Sequence, residues 1–380
     1  MPIQASKGQG MPPHFLSKSR RIRKTPFTQK VMAAGVKAFT VYNHMLLPTV
    51  FESVEEDYRH LKKEVQIWDV SCQRQVEIHG EDAKKLVQKI TPRDLTALTK
   101  AKCFYAPLVN ANGGMINDPI IIMLAEDRYW VSIADSDVLL WILGIATGLK
   151  LDVSICEPDV SPLAIQGPKS RILLKRLFGT KIEQLRFFEV ANFQFQNANL
   201  VISRSGWSKQ GGYEIYLEDL DSAETLWNTL FEVGEDLNVR AGCPNLIERI
   251  EGGLLSYGND MTLANTPFEC GLGKFLPDVI AKDCIGAHIL NSSSVRSPSK
   301  IIKSLSIDYG QRIYCEEPWA IYDMKDENVG QITSAAYSPD FQKVVALGMI
   351  NTLSIDSGKT IYTIINNKKH IIQIEEKPFI

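Results

Sequence analysis

Three short stretches gather polar chemistry inside an otherwise ordinary chain. In "VNANGGMINDPIIIML", residues 109 to 124, Asn117 and Asp118 interrupt an apolar run just after a glycine pair. In "SRSGWSKQGGYEIYL", residues 203 to 217, Glu214 and Tyr216 stand two apart and share one strand face, while Tyr213 and Ile215 share the other. A carboxylate there can fork two hydrogen bonds to a heterocycle with adjacent N–H groups, and a tyrosine can pack beside it. In "NLIERIEGGLLSYGNDM", residues 245 to 261, Glu248 and Glu251 lie on an expected helix. Glu251 abuts Gly252 and Gly253, which allow close backbone approach. A solvent-facing polar side is the competing reading for the second stretch, and surface charge for Glu248 of the third.

Gly113 and Gly114 are followed by neither a helix nor the Lys-Ser/Thr ending of a phosphate-binding loop. A hairpin turn explains them, because Asn-Gly and Gly-Gly supply positive φ. That turn delivers Asn117 and Asp118, one of which should face inward with Met115 unless a bulge intervenes. Which of the two does so is open at this point. Backbone capping by Asp118 competes with a carboxylate in a pocket. On "YWVSIAD", Trp130 and Ser132 share a face, with core packing as the alternative to a site role.

Elements that position these groups follow from pattern. Ser53 with Glu56 forms a capping box, and Val54, Tyr58, Leu61 and Val65 recur at helical spacing. A strand at "RQVEIHG" leads into a helix with Ala83, Leu86, Val87 and Ile90 on one face. Strands are expected at 103–109, 115–124 and 129–134, then a helix at 169–178, strands at 193–203 and 213–217, and helices through Ala223–Leu230 and about 245–256. From about residue 300 short β-rich runs alternate with turn residues, the texture of a small barrel. The expected organisation is a basic extended lead-in over 1–30, two interleaved α+β lobes over 31–295, and a barrel over 296–380. Helices and strands do not alternate strictly, which disfavours a doubly wound sheet.

Composition excludes several classes. The 380 residues are 44% hydrophobic and 23% charged with a net charge of −2, so nucleic acid and anionic membrane are not expected partners. The basic arm "SKSRRIRK" reads as solvated or self-docking. No run reaches the roughly 18 apolar residues of a span, and no secretory signal is evident; the cytoplasm is the expected location. Seven scattered cysteines and six histidines show no metal-ligand spacing, and buried packing thiols are expected.

Six stretches in order resemble the glycine cleavage T protein family, the folate-dependent aminomethyltransferases. They are "WDVSCQRQVEIHGEDA", "YAPLVNANGGMINDPI", "LAIQGPKS", "GGYEI", "RIEGGLLSYGND" and "TPFECGL". The resemblance covers roughly residues 40 to 380. It implies an α+β, three-lobed folate-binding fold of antiparallel sheets and helices with a C-terminal small β-barrel. A central channel would hold tetrahydrofolate as methyl acceptor, with no metal and no flavin. "RRIRKTPFT", "NHMLLPTVF", "SIADSDV", "SRSGWSKQGGYE" and "AGCPNLIERIE" further resemble a branch of the family that moves a methyl group from the sulfonium of dimethylsulfoniopropionate to N5 of that folate. A sulfonium methyl is already activated by its neutral thioether leaving group, so the protein mainly aligns reactants and excludes water.

By family position, Glu214 would grip the pteridine, with Tyr105, Asn110 and Glu251 as further folate contacts, and Asp118 or Asn117 would lie near N5. Trp207, Tyr105, Ser132 and Tyr216 are the implied contacts to the small-molecule sulfonium, Tyr105 and Trp207 through their aromatic faces. For the anionic end of the substrate, backbone amides, Lys209 and Arg204 remain alternatives. A homodimer is compatible with the resemblance.

Many aminomethyltransferases carry paired aspartates where this chain has Asn117 and Asp118, and the departure favours direct methyl transfer over aminomethyl transfer. Glycine cleavage itself and methyl transfer from another onium compound, such as a betaine, are the rival readings. Folate proteins of iron–sulfur assembly carry a cysteine-containing signature where this chain has Lys209 and Gln210. Flavin-linked members carry an added dinucleotide domain that this length does not accommodate.

Overall fold

The longest apolar alternations pair into two sheets whose outer faces are covered by helices and whose inner faces meet. The structure is a computed structural model and describes residues 19–356, 358 and 360–380. Most of the expected lead-in, and Ser17 and Lys18 of the basic arm, lie outside the described residues.

One sheet has six strands in the order Val190–Phe195, Ala198–Ser203, Gly212–Leu217, Ser161–Gln166, Val65–Asp69, Val239–Gly242. All pairings are antiparallel except the last, which is parallel. Helices Ser170–Phe178 and Ala223–Val233 cover one face, burying Leu173, Leu174, Leu226, Trp227 and Leu230 against Ile165, Ile202, Tyr213 and Ile215.

The second sheet is antiparallel, in the order Ser154–Cys156, Gln75–His79, Arg128–Ser132, Ile120–Ala125, Cys103–Tyr105. Its outer face packs Val76, Ile78, Ile121 and Val131 on helices Ala83–Ile90 and Val138–Leu149. The alternation that sends those residues outward sends Gln75, Glu77, Trp130 and Ser132 the other way. There Cys103, Ile122 and Trp130 meet Val201 and Tyr216 of the six-stranded sheet.

The C-terminal residues close into a six-stranded antiparallel barrel, Lys300–Ile307, Lys343–Asn351, Asn328–Ser338, Trp319–Asp323, Ile361–Ile365 and Lys368–Glu375, sealed where Ile307 pairs with Ile372. The α+β fold with antiparallel sheets, helices and terminal barrel is as the sequence implies.

Several boundaries differ for local reasons. Helix Val54–Lys63 is capped by Ser53, whose hydroxyl accepts from the Glu56 amide at 3.1 Å. Glu64 leaves helical geometry, so Val65 opens a strand rather than ending the helix. The expected helix over 245–256 spans only Leu246–Glu251, since Gly253 takes φ +64°. The strand over 193–203 is a hairpin reversed at Gln196, φ +51°. The run 115–124 breaks at Asp118–Pro119, because proline has no amide hydrogen for the ladder.

The barrel is tied to the sheets through buried polar groups. Glu251 is fully buried, and its carboxylate accepts from the Tyr58 hydroxyl at 2.8 and 2.9 Å and from the Ser338 hydroxyl at 2.6 Å, with Lys62 at 3.6 Å. Its carbonyl accepts from the Phe379 and Ile380 amides. Beside it Arg249 pairs with Asp260 at 2.6 Å and donates to Ser334. Glu251→Ala would strand the Tyr58 and Ser338 hydroxyls inside a closed interface. It should cost about 3 kcal/mol, read as a lowered Tm. Glu251→Gln, which keeps the size and one acceptor, should recover most of that loss.

Candidate active site

The glycine pair is a hairpin turn built to close tolerance. Asn110 accepts through Oδ1 from the amides of Asn112 and Gly114, both at 2.9 Å. Gly113 has φ +78°, and a Cβ on Gly114 would come within 2.2 Å of the Leu263 carbonyl oxygen. This turn joins Leu108–Val109 to Met115–Asn117 and so fixes the register of the second strand.

Asn117 and Asp118 then part company. The Asn117 side chain is fully buried: its amide donates to the Ala134 carbonyl at 3.0 Å and to Ser136 at 2.9 Å, and its oxygen accepts from the Ala134 amide. Both ends of the amide are engaged in holding the loop after strand Arg128–Ser132. Asp118, freed from the ladder by Pro119, is half-buried and accepts from the Tyr105 hydroxyl at 2.8 Å. Burial pushes its pKa up to about 7 against the lowering effect of that hydrogen bond. Tyr42 and Tyr257 are close enough to feel the same charge. Tyr105 stands edge-on to Phe275 at 5.4 Å.

Glu214, on strand Gly212–Leu217, is 6% exposed. It accepts from the Ser205 hydroxyl and, at 3.5 Å, from Tyr216. Among the described residues no cation pairs with it. Burial raises its pKa, opposed by the two hydroxyls. Tyr216 packs on Trp130 with ring centroids 5.9 Å apart, and faces Ser203 and Ser132.

Strand Cys103–Tyr105 connects the two halves. Cys103 and Tyr105 share a face; Cys103 lies in the cluster with Trp130 and Tyr216 and feels the Glu214 charge, while Tyr105 holds Asp118. Glu214, Tyr216 and Ser132 thus gather where the two sheets meet, and Tyr105 with Asp118 lies further along the same strand, packed toward Met115, Met261 and Cys270. A separate cleft of about 600 Å³ beside Lys84, Gln88 and Tyr129 opens on the outer face and contains none of these groups.

The other expected residues are placed differently. Asn110 serves the turn through its oxygen. Glu251 is enclosed by Tyr58, Ser338 and Lys62 and does not reach this space. Trp207 is half-buried on the loop before Glu214; its indole N–H donates to the Leu255 carbonyl at 3.3 Å, and the Arg249 guanidinium lies 5.8 Å from the ring. Arg204 donates to the Leu185 carbonyl and sits near Tyr213, on the helix-covered side of its sheet. The Lys209 side chain lies over Gly252.

Three contributors carry no signal in the sequence pattern. Ser205 reaches Glu214 because Gly206, at φ +148°, folds the loop back, and a Cβ there would overlap the Gln166 amide. Gln166, the buried residue of "LAIQGP", donates to the Ser205 carbonyl and accepts from Ser208. Arg93 stacks on Phe104 at 4.2 Å and Phe275 at 5.2 Å beside Tyr105, and no local pattern marks it.

Comparison with known proteins places the fold. Residues 27–277 match the model of the GCVT N-terminal domain, and residues 302–380 match the glycine cleavage T-protein C-terminal barrel domain. A dimethylsulfoniopropionate demethylase, DmdA, from Ruegeria pomeroyi is 52% identical over 333 residues, 88% of this chain and 90% of that protein. The crystal structure of the glycine cleavage system aminomethyltransferase T from Bartonella henselae superposes with a TM-score of 0.83 at 24% identity, covering 94% of this chain and 98% of that one, which shows a shared fold. Two matched domains in the expected order, with a relative 52% identical over most of the chain, make this chain a member of the glycine cleavage T-protein family.

Proposed function

We propose that the protein is a tetrahydrofolate-dependent demethylase that moves a methyl group from the sulfonium of dimethylsulfoniopropionate to N5 of tetrahydrofolate, giving methylmercaptopropionate and 5-methyltetrahydrofolate. The observation that carries this reading is the 52% identity with a demethylase of that name across most of both chains.

The donor set suits the folate. Glu214 is a buried carboxylate whose partners are two hydroxyls and no cation, so adjacent N–H donors of a pteridine would complete it. Tetrahydrofolate, when bound, supplies the N5 lone pair that displaces the neutral thioether. Methylating N5 releases one proton in total. Asp118, with a pKa near 7, can take that proton at Oδ and pass it to solvent, since a general base works best near the ambient pH. The Tyr105 hydroxyl keeps the Asp118 carboxyl oriented. The faces of Tyr105 and Trp207 attract the sulfonium, while Ser132 and Tyr216 offer hydroxyls to its carboxylate. Asn117 keeps the adjoining loop in place from its buried position. One carboxylate suffices for a reaction that must remove a single proton and stabilises no iminium-like cation.

The direct test mixes the purified protein anaerobically with tetrahydrofolate and dimethylsulfoniopropionate and follows both products. Both should form together. Turnover of another onium donor with none from this one would overturn the substrate while leaving the family intact.

Asp118 makes a signed prediction about pH. Its folded pKa lies above the ordinary carboxylate value, so its contribution is fully present below about pH 4 and is lost as pH rises through about 7. Asp118→Asn removes that loss: equal to the parent in acid, the variant should be the more stable above pH 7, by at most about 4 kcal/mol. Melting curves from pH 4 to 8 measure the crossover. Its kcat/KM should also lack the limb near pH 7. Glu214→Gln should weaken tetrahydrofolate binding at least about tenfold, the loss of a charged hydrogen-bond acceptor, without lowering Tm at pH 8, as calorimetric titration and melts would report.

A further inference from the structure

Gln75 stands directly opposite Ser132 in the five-stranded sheet and is fully buried. Its Nε2 donates twice, to the Gln73 carbonyl at 2.9 Å and to Ser132 Oγ at 3.0 Å, and its Oε1 is buried with no partner. The Gln73 carbonyl can only accept, so turning the amide over would set two oxygens against each other and bury both N–H groups unpaired. The orientation is therefore fixed, although it leaves an acceptor unsatisfied at a cost.

That orientation has a consequence down the line. Ser132 must accept from Gln75, so its own hydrogen points away from Gln75. Tyr216 directs its hydrogen to Glu214 across 3.5 Å, a long contact that holds it loosely. The Gln73 carbonyl thus sets the sense of the hydrogen bond between Gln75 and Ser132. An anion entering beside Ser132 meets a hydroxyl whose hydrogen is not engaged by Gln75.

We infer that Gln75 is a positioning residue for the substrate: held by the Gln73 carbonyl, it makes the Ser132 hydroxyl a donor to the carboxylate of the sulfonium compound. This rests on the proposed demethylase reading, in which Ser132 and Tyr216 contact that carboxylate. The role does not require Gln75 to touch the substrate. Arg204, one of the alternatives for that carboxylate, is engaged by the Leu185 carbonyl.

The test compares dimethylsulfoniopropionate with trimethylsulfonium, a sulfonium without a carboxylate, in the full chain. Gln75→Glu keeps the shape and replaces the donating amide by an acceptor. It should raise KM for dimethylsulfoniopropionate about tenfold or more, with kcat, the tetrahydrofolate Kd and the trimethylsulfonium inhibition constant all within twofold of the parent. Gln75→Met, near in volume and unable to donate, should give the same split, and covers the case that the buried acid prevents folding. Ser132→Ala should raise KM similarly, and adding either Gln75 change to it should raise KM no further. An unchanged KM in Ser132→Ala would overturn the substrate contact itself. A raised KM there with none in the Gln75 variants would overturn the role of Gln75 alone. An equal loss for both sulfonium compounds would also overturn it, because a merely structural lesion does not distinguish a carboxylate.

Discussion

Taking a carboxylate out of water without a cation to pair it is expensive, and this protein does so twice, at Glu214 where the two sheets meet and at Asp118 beside Tyr105. Among the described residues each has hydroxyl donors and no cation, Asp118 from Tyr105 and Glu214 from Ser205 and Tyr216. Burial raises both pKa values. The surrounding structure must absorb that cost and keep the two groups from relaxing toward solvent. Much of the local architecture reads as the means of doing so.

The means are mostly backbone. Helices cover the outer face of each sheet, so strand alternation sends one set of residues into the cores and the other into the shared space. Pro119 takes Asp118 out of the ladder, and the Asn110–Gly114 turn fixes where that break falls. Gln166 lies under the loop 205–213 and holds Ser205 over Glu214. Gln75 does the corresponding work in the other sheet. Amides whose orientation is fixed by carbonyls carry direction into a region where hydroxyls alone would be free to rotate.

Much of this is legible in the chain. The capped helix at Ser53, the glycine turn, the helical face of Ala83 to Ile90 and the barrel all emerge from spacing and turn chemistry, because these are decided within a few residues. The shared face of Glu214 and Tyr216 emerges from strand period. The choice between Asn117 and Asp118 does not, since it depends on Pro119 breaking the strand and on Ala134 and Ser136, which approach from the next hairpin. Ser205, Gln75 and Arg93 are hidden for the same reason: their partners lie across a turn, a sheet or a packed face. The helix end at Glu251 falls short of the apolar pattern, which continues past Gly253, because the positive φ of that glycine stops the helix.

Glu251 and Glu214 show how three dimensions separate residues that sequence treats alike. Both are buried, both sit in a glycine-bearing motif, and both are expected from sequence to touch the folate. Glu251 has Tyr58 and Ser338 as donors and Lys62 nearby, with its carbonyl engaged by the last residues of the chain. Its charge is satisfied by the protein itself, as an interface between sheet and barrel requires. Glu214 has one close hydroxyl and one distant one and no cation, so its acceptor capacity exceeds what the protein provides. A buried acceptor left partly unfilled is costly unless something fills it. That difference in partners, rather than burial or motif, separates the two: Glu251 is completed within the fold, and Glu214 keeps acceptor capacity that the described residues leave open.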